Sequence, residues 1–191
     1  MTSDEALMLE FQGGSRAAFE ELFARYRKPL YGFFGRRLNN PERADDLAQE
    51  TFLAVIRAAH RYEPRASVRT YLYGIALKLL AAERRRFATS STFAQSAPEP
   101  KTDGNPETVL WVRQAMEKLD ARDREILMLR EYEQLSYSDI AELLRIPVNT
   151  VRSRLFRSRL TLKGYLELEA KTNPALRPSA GQPHPGRRGM Q

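Results

Sequence analysis

Residues 136–160, SYSDIAELLRIPVNTVRSRLFRSRL, decide how this chain is read. Ser136 and Asp139 have capping-box spacing, in which a hydroxyl and a carboxylate three residues apart satisfy the free N–H groups that open a helix. Ile140, Leu143 and Leu144 then form one apolar stripe, and Arg145-Ile146-Pro147 makes a short turn. At about 100° per residue, Val148, Val151, Leu155 and Leu162 share one side of the next helix and are expected to face a core. Asn149, Thr150, Ser153, Arg154 and Arg157 lie broadly opposite. From Arg152 to Lys163 there are five basic residues and no acidic one. Two short helices with a tight turn, the second basic on its outer side, describe a helix-turn-helix, whose second helix enters the DNA major groove. A solvated amphipathic helix produces the same pattern, so the stretch alone leaves both readings open. Tyr137 and Ser138, just after the cap, are within reach of phosphates and equally suit a plain surface position. Phe156 and Leu160 sit nearer the outer face than a simple soluble helix favours.

The whole-chain totals agree with a nucleic-acid partner. The 191 residues suffice for one or two small domains. A net charge of +7 favours a polyanion, either nucleic acid or an acidic membrane surface. There is no cysteine, which removes disulfides, thiolate metal sites and a cysteine nucleophile, and fits a reducing cytoplasm. The two histidines, His60 and His184, are far apart, so a histidine metal site is not expected. The start, MTSDEALMLEFQGG, lacks the pattern of a secretory signal. No apolar run approaches the roughly 20 residues of a membrane span. No nucleophile–base pair, phosphate loop or metal spacing points to an enzyme, and no cofactor is expected.

Nearly every periodic segment reads as helix, so the fold class is all-α. Ser3 and Ser15 are placed to cap two helices, the second with a kink or break at Pro29. Asn40-Pro41 opens a helix running to about Tyr62, and Ser67 caps another that reaches Arg84-Arg85-Arg86. Residues 87–106 are rich in Ser, Thr, Pro and Ala without apolar period and read as a flexible linker. Asn105-Pro106 repeats the start signal, and Asp120 caps the helix before the helix-turn-helix. Residues 171–191 are Pro- and Gly-rich and read as a disordered tail. The expected organisation is therefore two small helical domains, 1–86 and 107–170, joined by a linker.

Two helices of the first domain differ sharply in charge. In PERADDLAQETFLAVIRAAHRY, residues 41–62, Ala44, Ala48, Phe52, Val55 and Ala59 make a core stripe. Asp46, Gln49, Glu50, Leu53 and Arg57 lie opposite, and Asp45 sits near the start. The acids suit the helix dipole. Leu53 among carboxylates suggests a protein partner instead, because this face would repel DNA. In YEPRASVRTYLYGIALKLLAAERRRF, residues 62–87, aromatic and basic residues interleave, and Val68, Leu72, Ile75 and Leu79 read as the core stripe. Rings that stack on bases beside cations that track phosphates suit single-stranded nucleic acid. Tyr71 falls close to the core stripe, and the arginine triplet also suits a helix C-terminus.

Three segments together, DDLAQETFLAVIRA at 45–58, RTYLYGIA at 69–76 and LDARDREILMLREYEQLSYSDIAELLRIPVNTVRSRLFRSR at 119–159, resemble a bacterial RNA polymerase sigma factor of the extracytoplasmic-function group of the sigma-70 family. The resemblance covers about 15–165 apart from the linker. It implies a subunit that directs promoter-specific initiation without doing chemistry itself. Asp45, Asp46, Gln49, Glu50 and Leu53 would grip the beta-prime clamp helices of core polymerase. Tyr62, Arg65, Arg69, Tyr73, Lys78, Arg84 and Arg85 would open and read the minus-ten element. Tyr137, Asn149, Thr150, Arg152, Ser153, Arg154 and Arg157 would read the minus-thirty-five element. The other implied partners are the polymerase beta flap and an anti-sigma factor, with the linker threading toward the RNA exit path. A helix-turn-helix regulator acting without polymerase, and a sigma-like decoy for an anti-sigma protein, are the alternatives. The chain departs from the family where Tyr71 replaces the usual Trp, Leu77-Lys78 an Arg-Asn pair, and Arg145 a Gly. Lys78 puts the minus-ten base preference in question. Arg145 occupies a position suited to positive φ.

Overall fold

The computed structural model describes residues 2–38, 40–64, 66–89 and 106–172. The candidate Arg65, residues 90–105 of the expected linker and residues 173–191 of the expected tail lie outside them. The described residues form a first unit of α1 (Asp4–Gln12), α2 (Arg16–Gly35), α3 (Pro41–Ala58), a 3-10 turn (Ala59–Arg61) and α4 (Val68–Thr89). A second unit follows as α5 (Pro106–Glu117), α6 (Ala121–Glu131), α7 (Tyr137–Leu144) and α8 (Val148–Thr172). No strand occurs among the described residues. None of the described helices is long and apolar enough to cross a membrane.

The caps behave as their residue types require. Ser3 accepts from the Ala6 N–H at 3.1 Å, Ser15 from Ala18 at 3.3 Å and Asn40 from Arg43 at 3.0 Å. Ser67 accepts from Thr70 N–H at 3.1 Å and opens α4. At α7 both halves of the capping box form: Asp139 N–H donates to Ser136 Oγ at 3.1 Å and Ser136 N–H to the Asp139 carboxylate at 3.0 Å.

Three expectations need correction. Pro29 does not break its helix, because α2 runs unbroken from Arg16 to Gly35. An interior proline costs about 3 kcal/mol. Tyr26, Leu30, Phe33 and Phe34, all buried on the same helix, each contribute roughly 1.5–3 kcal/mol by burial, which outweighs it. The second correction concerns length. α4 reaches Thr89, past the expected edge at 86, and α8 reaches Thr172; α3 stops at Ala58, with the 3-10 turn completing the segment expected as one helix. Third, the core face of α4 is broader than the expected stripe. Val68 and Leu72 are buried as expected, but so are Tyr73, Ala76 and Leu80, while Ile75 and Leu79 are only half-buried. The reason is that α4 packs on α1, α2 and α3 and also meets α7 of the second unit.

On α3 the stripe Ala44, Ala48, Phe52, Val55 and Ala59 is buried as read, and Phe52 meets the Phe19 and Phe23 rings of α2 at 6.3 and 4.7 Å. A clamp ties α3 to α4. Arg43 forks onto Glu83, Nε to one oxygen at 2.7 Å and Nη2 to the other at 2.8 Å. Bidentate charge-assisted pairs of this kind are the stronger ones. The hydrogen bonds from Arg43 hold the Glu83 carboxyl below its ordinary value and outweigh the burial that opposes ionisation.

In the second unit α8 packs on α5, α6 and α7. Val151 and Leu155 are fully buried, and Val148 and Leu162 lie against the same core. The turn between α7 and α8 is a Schellman motif: Ile146 N–H reaches Ala141 O at 3.0 Å and Arg145 N–H reaches Glu142 O at 3.3 Å. It sets Arg145 at φ 53°, ψ 49°, the left-handed region the family glycine suits.

Two outcomes follow. Glu83 ionises more readily when folded, so its stabilisation is complete above about pH 4.5 and is lost as pH falls through the lower folded-state value. Glu83→Gln should lower stability at neutral pH by about 1.5–3 kcal/mol and flatten the acid limb of a urea-denaturation series against pH; an unchanged limb would refute the clamp. Arg145→Gly relieves a left-handed non-glycine residue but loosens the unfolded chain. The net gain in thermal stability should be about 0.5 kcal/mol, whereas Arg145→Val should be destabilising.

Candidate functional site

The acidic face of α3 is open to solvent at its centre. Leu53 is 47% exposed, and Asp46 and Gln49 are also exposed. Gln49 donates to the Asp45 carboxylate at 2.7 Å, and Arg43 reaches Glu50 at 3.0 Å and Asp46 at 3.6 Å. The arginine that clamps Glu83 therefore also orders this face, so its carboxylates are held in place by the fold.

The expected minus-ten residues divide into two groups. Arg69, Lys78, Arg84 and Arg85 are exposed on α4. Tyr62 and Tyr73 are not. Tyr62 is 5% exposed, its ring 5.3 Å from that of Tyr71, and its carbonyl accepts from Gln12 Nε2 at 3.2 Å. Tyr73 is 2% exposed against Phe33, and burial, with Glu133 beside it, pushes its hydroxyl pKa up. In this arrangement neither ring is available for stacking on a base. Packing between helices closes them off, which spacing within one helix does not reveal. α1 braces the same region: Glu5 accepts from Val68 N–H at 3.2 Å at the start of α4.

On α8, Asn149, Arg152, Ser153 and Arg157 are exposed and Thr150 is half-buried. Ser153 donates to Thr150 O at 3.1 Å. Arg154 differs from the expectation that it points outward. Its guanidinium turns back onto α6, 2.5 Å from Asp123 and 3.8 Å from Asp120. The stagger of α6 against α8, absent from the α8 sequence, puts carboxylates within its reach. Tyr137 lies under the Arg130 guanidinium at 5.2 Å, beside a shallow cleft lined by Ser136, Ser138, Val148 and Arg152. Phe156 and Leu160 remain 68% and 61% exposed.

A further cluster escaped sequence reasoning. Glu133, in the turn after α6, is 2% exposed yet carries a carboxylate. Arg36 Nη2 donates to its two oxygens at 2.9 and 3.1 Å, and Arg37 Nη1 to one of them at 3.1 Å. Arg69 Nη1 donates to the Glu133 carbonyl at 3.2 Å, and Arg37 Nε to Glu125 at 3.0 Å. Arg36 also lies over the Tyr132 ring at 4.6 Å. Arg36 and Glu133 are 97 residues apart, so no local pattern pairs them. The only signal in the chain was the Arg36-Arg37 doublet at the end of α2. Removing one partner of a buried pair costs about 3–5 kcal/mol because it strands the other, so the members of this cluster depend on one another as long as the two units are packed. Asp139 adds to it. Burial works against its charge, but the Ser136 and Thr70 hydroxyls, with Arg69 nearby, hold its carboxyl below the ordinary range.

The chain matches the family description "Sigma-70 region 2" over residues 22–88 and "Sigma-70, region 4" over residues 110–162. It is 34% identical to the RNA polymerase sigma-H factor of Pseudomonas aeruginosa over 181 residues, spanning 86% of this chain and 94% of that one. It is 31% identical to the ECF RNA polymerase sigma-E factor of Salmonella typhimurium, spanning 82% and 91%. Among solved structures, the sigma factor RpoE of Bartonella quintana, crystallised with the anti-sigma factor NepR, shares the fold with a TM-score of 0.66 at 23% identity, covering 79% of this chain and 98% of that one. With two all-helical units, a basic helix-turn-helix and these relatives, the chain belongs to the sigma-70 family, in its extracytoplasmic-function group, and is a transcription initiation factor that directs core RNA polymerase to promoters.

Proposed function

We propose that three surfaces of this chain divide the work of initiation. The α3 face of Asp45, Asp46, Gln49, Glu50 and Leu53 docks on the beta-prime clamp helices. Its exposed leucine supplies apolar contact and its carboxylates supply charge complementarity and orientation. The exposed cations of α4, Arg69, Lys78, Arg84 and Arg85, with Tyr62, Arg65 and Tyr73 near them in the chain, take the melted minus-ten strand. Unstacking a base is offset by contacts to the flipped base. The first turns of α8, with Asn149, Thr150, Arg152, Ser153 and Arg157, enter the major groove at the minus-thirty-five element, where Arg forks suit guanine and phosphate. Tyr137 lies at the edge of that surface. Arg154, paired with Asp123, holds α8 against α6 and reaches DNA only by exchanging that partner.

The domain assignment follows the same division: 1–86 for docking and the minus-ten element, 107–170 for the minus-thirty-five element, with 87–106 as connector and 171–191 as tail. The observation that carries this reading is the contrast between two exposed faces. Leu53 stands 47% exposed among carboxylates on α3, whereas α8 carries no acid from Val148 until Glu167. A surface that repels DNA and one that attracts it serve different partners. The chain makes no bonds itself; polymerase does, in the cytoplasm. By likeness to the relative crystallised with NepR, an anti-sigma factor holds this chain inactive.

Two outcomes test the reading. Asp46→Arg with Leu53→Ala, both at exposed positions, should abolish pull-down of core polymerase while duplex promoter binding persists; undiminished pull-down would refute the docking face. Arg152→Ala with Arg157→Ala should make the slope of log affinity against log salt for duplex promoter shallower by about 1.8. It should also abolish run-off transcription from promoters that depend on the minus-thirty-five element. An unchanged slope would remove α8 from the DNA contact.

A further inference from the structure

The Glu133 cluster has a property that a simple tie between two units does not require. Among the described residues, every carboxylate paired with Arg36 or Arg37 comes from the second unit, Glu125 on α6 or Glu133 beyond it. Without that unit, Arg36, Arg37 and Arg69, which all contact Glu133 here, would lose that partner and leave three guanidiniums on one patch of the first unit near Tyr73. Glu133 is also presented deliberately. The turn that carries it runs through Gln134 at φ 55°, a left-handed residue that is not glycine. Leu135 N–H then returns to Leu129 O at 3.1 Å, which locks the turn. Two glycines shape the opposite wall. A Cβ on Gly32 would lie 2.8 Å from Arg36 Nη1, and one on Gly74 would lie 3.2 Å from Leu143 of α7. Gly32 lets the Arg36 guanidinium fold back along α2, and Gly74 lets α4 and α7 approach closely.

An arginine fork accepts a carboxylate and a phosphate by the same parallel N–H donations. We infer that Arg36, Arg37 and Arg69, with the Tyr73 hydroxyl, form a binding site for a backbone phosphate of single-stranded DNA, which Glu133 occupies as an internal stand-in while the two units are packed together. The inference deepens the reading that the first unit takes the melted strand: it adds Arg36 and Arg37 to that surface and makes the second unit its competitor. Glu133 and phosphate exclude each other. Strand binding therefore favours separation of the units, and separation favours strand binding by the same factor. That reciprocity ties exposure of the strand-binding surface to release of the helix-turn-helix unit. It also accounts for the burial of Tyr73 here, since the residues that cover it leave with Glu133.

Two variants open the site by unrelated means. Glu133→Gln removes the competing charge, and Gly74→Leu forces α4 from α7 without touching an arginine. The chain has no cysteine, so Glu20→Cys and Lys163→Cys, both at exposed positions, can carry a dye pair across the units. Each opening variant should lower energy transfer and raise the affinity for a short fluorescent single-stranded DNA about tenfold, with thermal melts confirming that both remain folded. In the Glu133→Gln background, Arg36→Gln with Arg69→Gln should keep low energy transfer yet lose that gain. The slope of log affinity against log salt should also become shallower by about 1.4. Low energy transfer with unchanged affinity in both opening variants would overturn the phosphate site. Unchanged energy transfer in both would overturn the stand-in. Pull-down of core polymerase reads the α3 face separately: if wild-type protein fails there, the docking reading falls, whatever the oligonucleotide data say.

Discussion

A carboxylate buried among arginines from another part of the chain is the constraint around which this molecule is arranged. Glu133 is almost fully enclosed, and Arg36, Arg37 and Arg69 all contact it. An isolated buried charge would be untenable, so carboxylate and arginines must stay together or the units must part. Much else follows from their staying together. α4 acquires a second packing partner in α7, the face of Tyr73 closes, and Arg69 turns toward the second unit. The contact is therefore more than a stabilising pair: it selects which faces of the first unit meet solvent.

Electrostatics divide the surface into zones with separate tasks. On α3 the carboxylates are ordered by Arg43, which is itself fixed by Glu83. On α8 three cations find acids, Arg154 at Asp123, Arg159 at Glu131 and Lys163 at Glu167, while its first turns carry exposed Arg152 and Arg157 with no acid before Glu167 along the helix. Exposed ion pairs on helices contribute little to stability, so neither zone is explained by folding energy. In the proposed division of work, the two zones display charge to two different partners, polymerase on α3 and DNA on α8. The exposed Phe156 and Leu160 extend the α8 surface with apolar area that the described core does not use.

Among the described residues, backbone strain at non-glycine positions falls in two places, and both are turns. Arg145 and Gln134 hold positive φ without being glycine. The first sets the angle between α7 and α8, and thus the aim of the helix-turn-helix. The second carries Glu133 into the arginines. In each case the flanking helices are anchored by buried side chains, Ile140 and Val151 at one turn, Leu129 and Leu135 at the other. Backbone strain persists where its surroundings over-determine it.

The amino-acid sequence by itself determined the helical class, most helix starts, the capping box at Ser136 and Asp139, the core stripe of α3 and the inward side of α8. Each of these rests on interactions within about four residues, which spacing and residue type express directly. The left-handed residue at Arg145 was legible only through the glycine that the resembled family carries there. Tertiary structure alone decided that α2 continues through Pro29, because buried neighbours from other helices outweigh the lost hydrogen bond. It alone buried Tyr73 and Leu80, which lie outside the expected stripe of α4, and turned Arg154 inward. It alone paired Arg36 with Glu133 across 97 residues. A doublet of arginines and a glutamate in a turn carry no mark of each other in a linear chain. Their partnership exists only once packing brings two helical units into contact and removes the water that would have screened them.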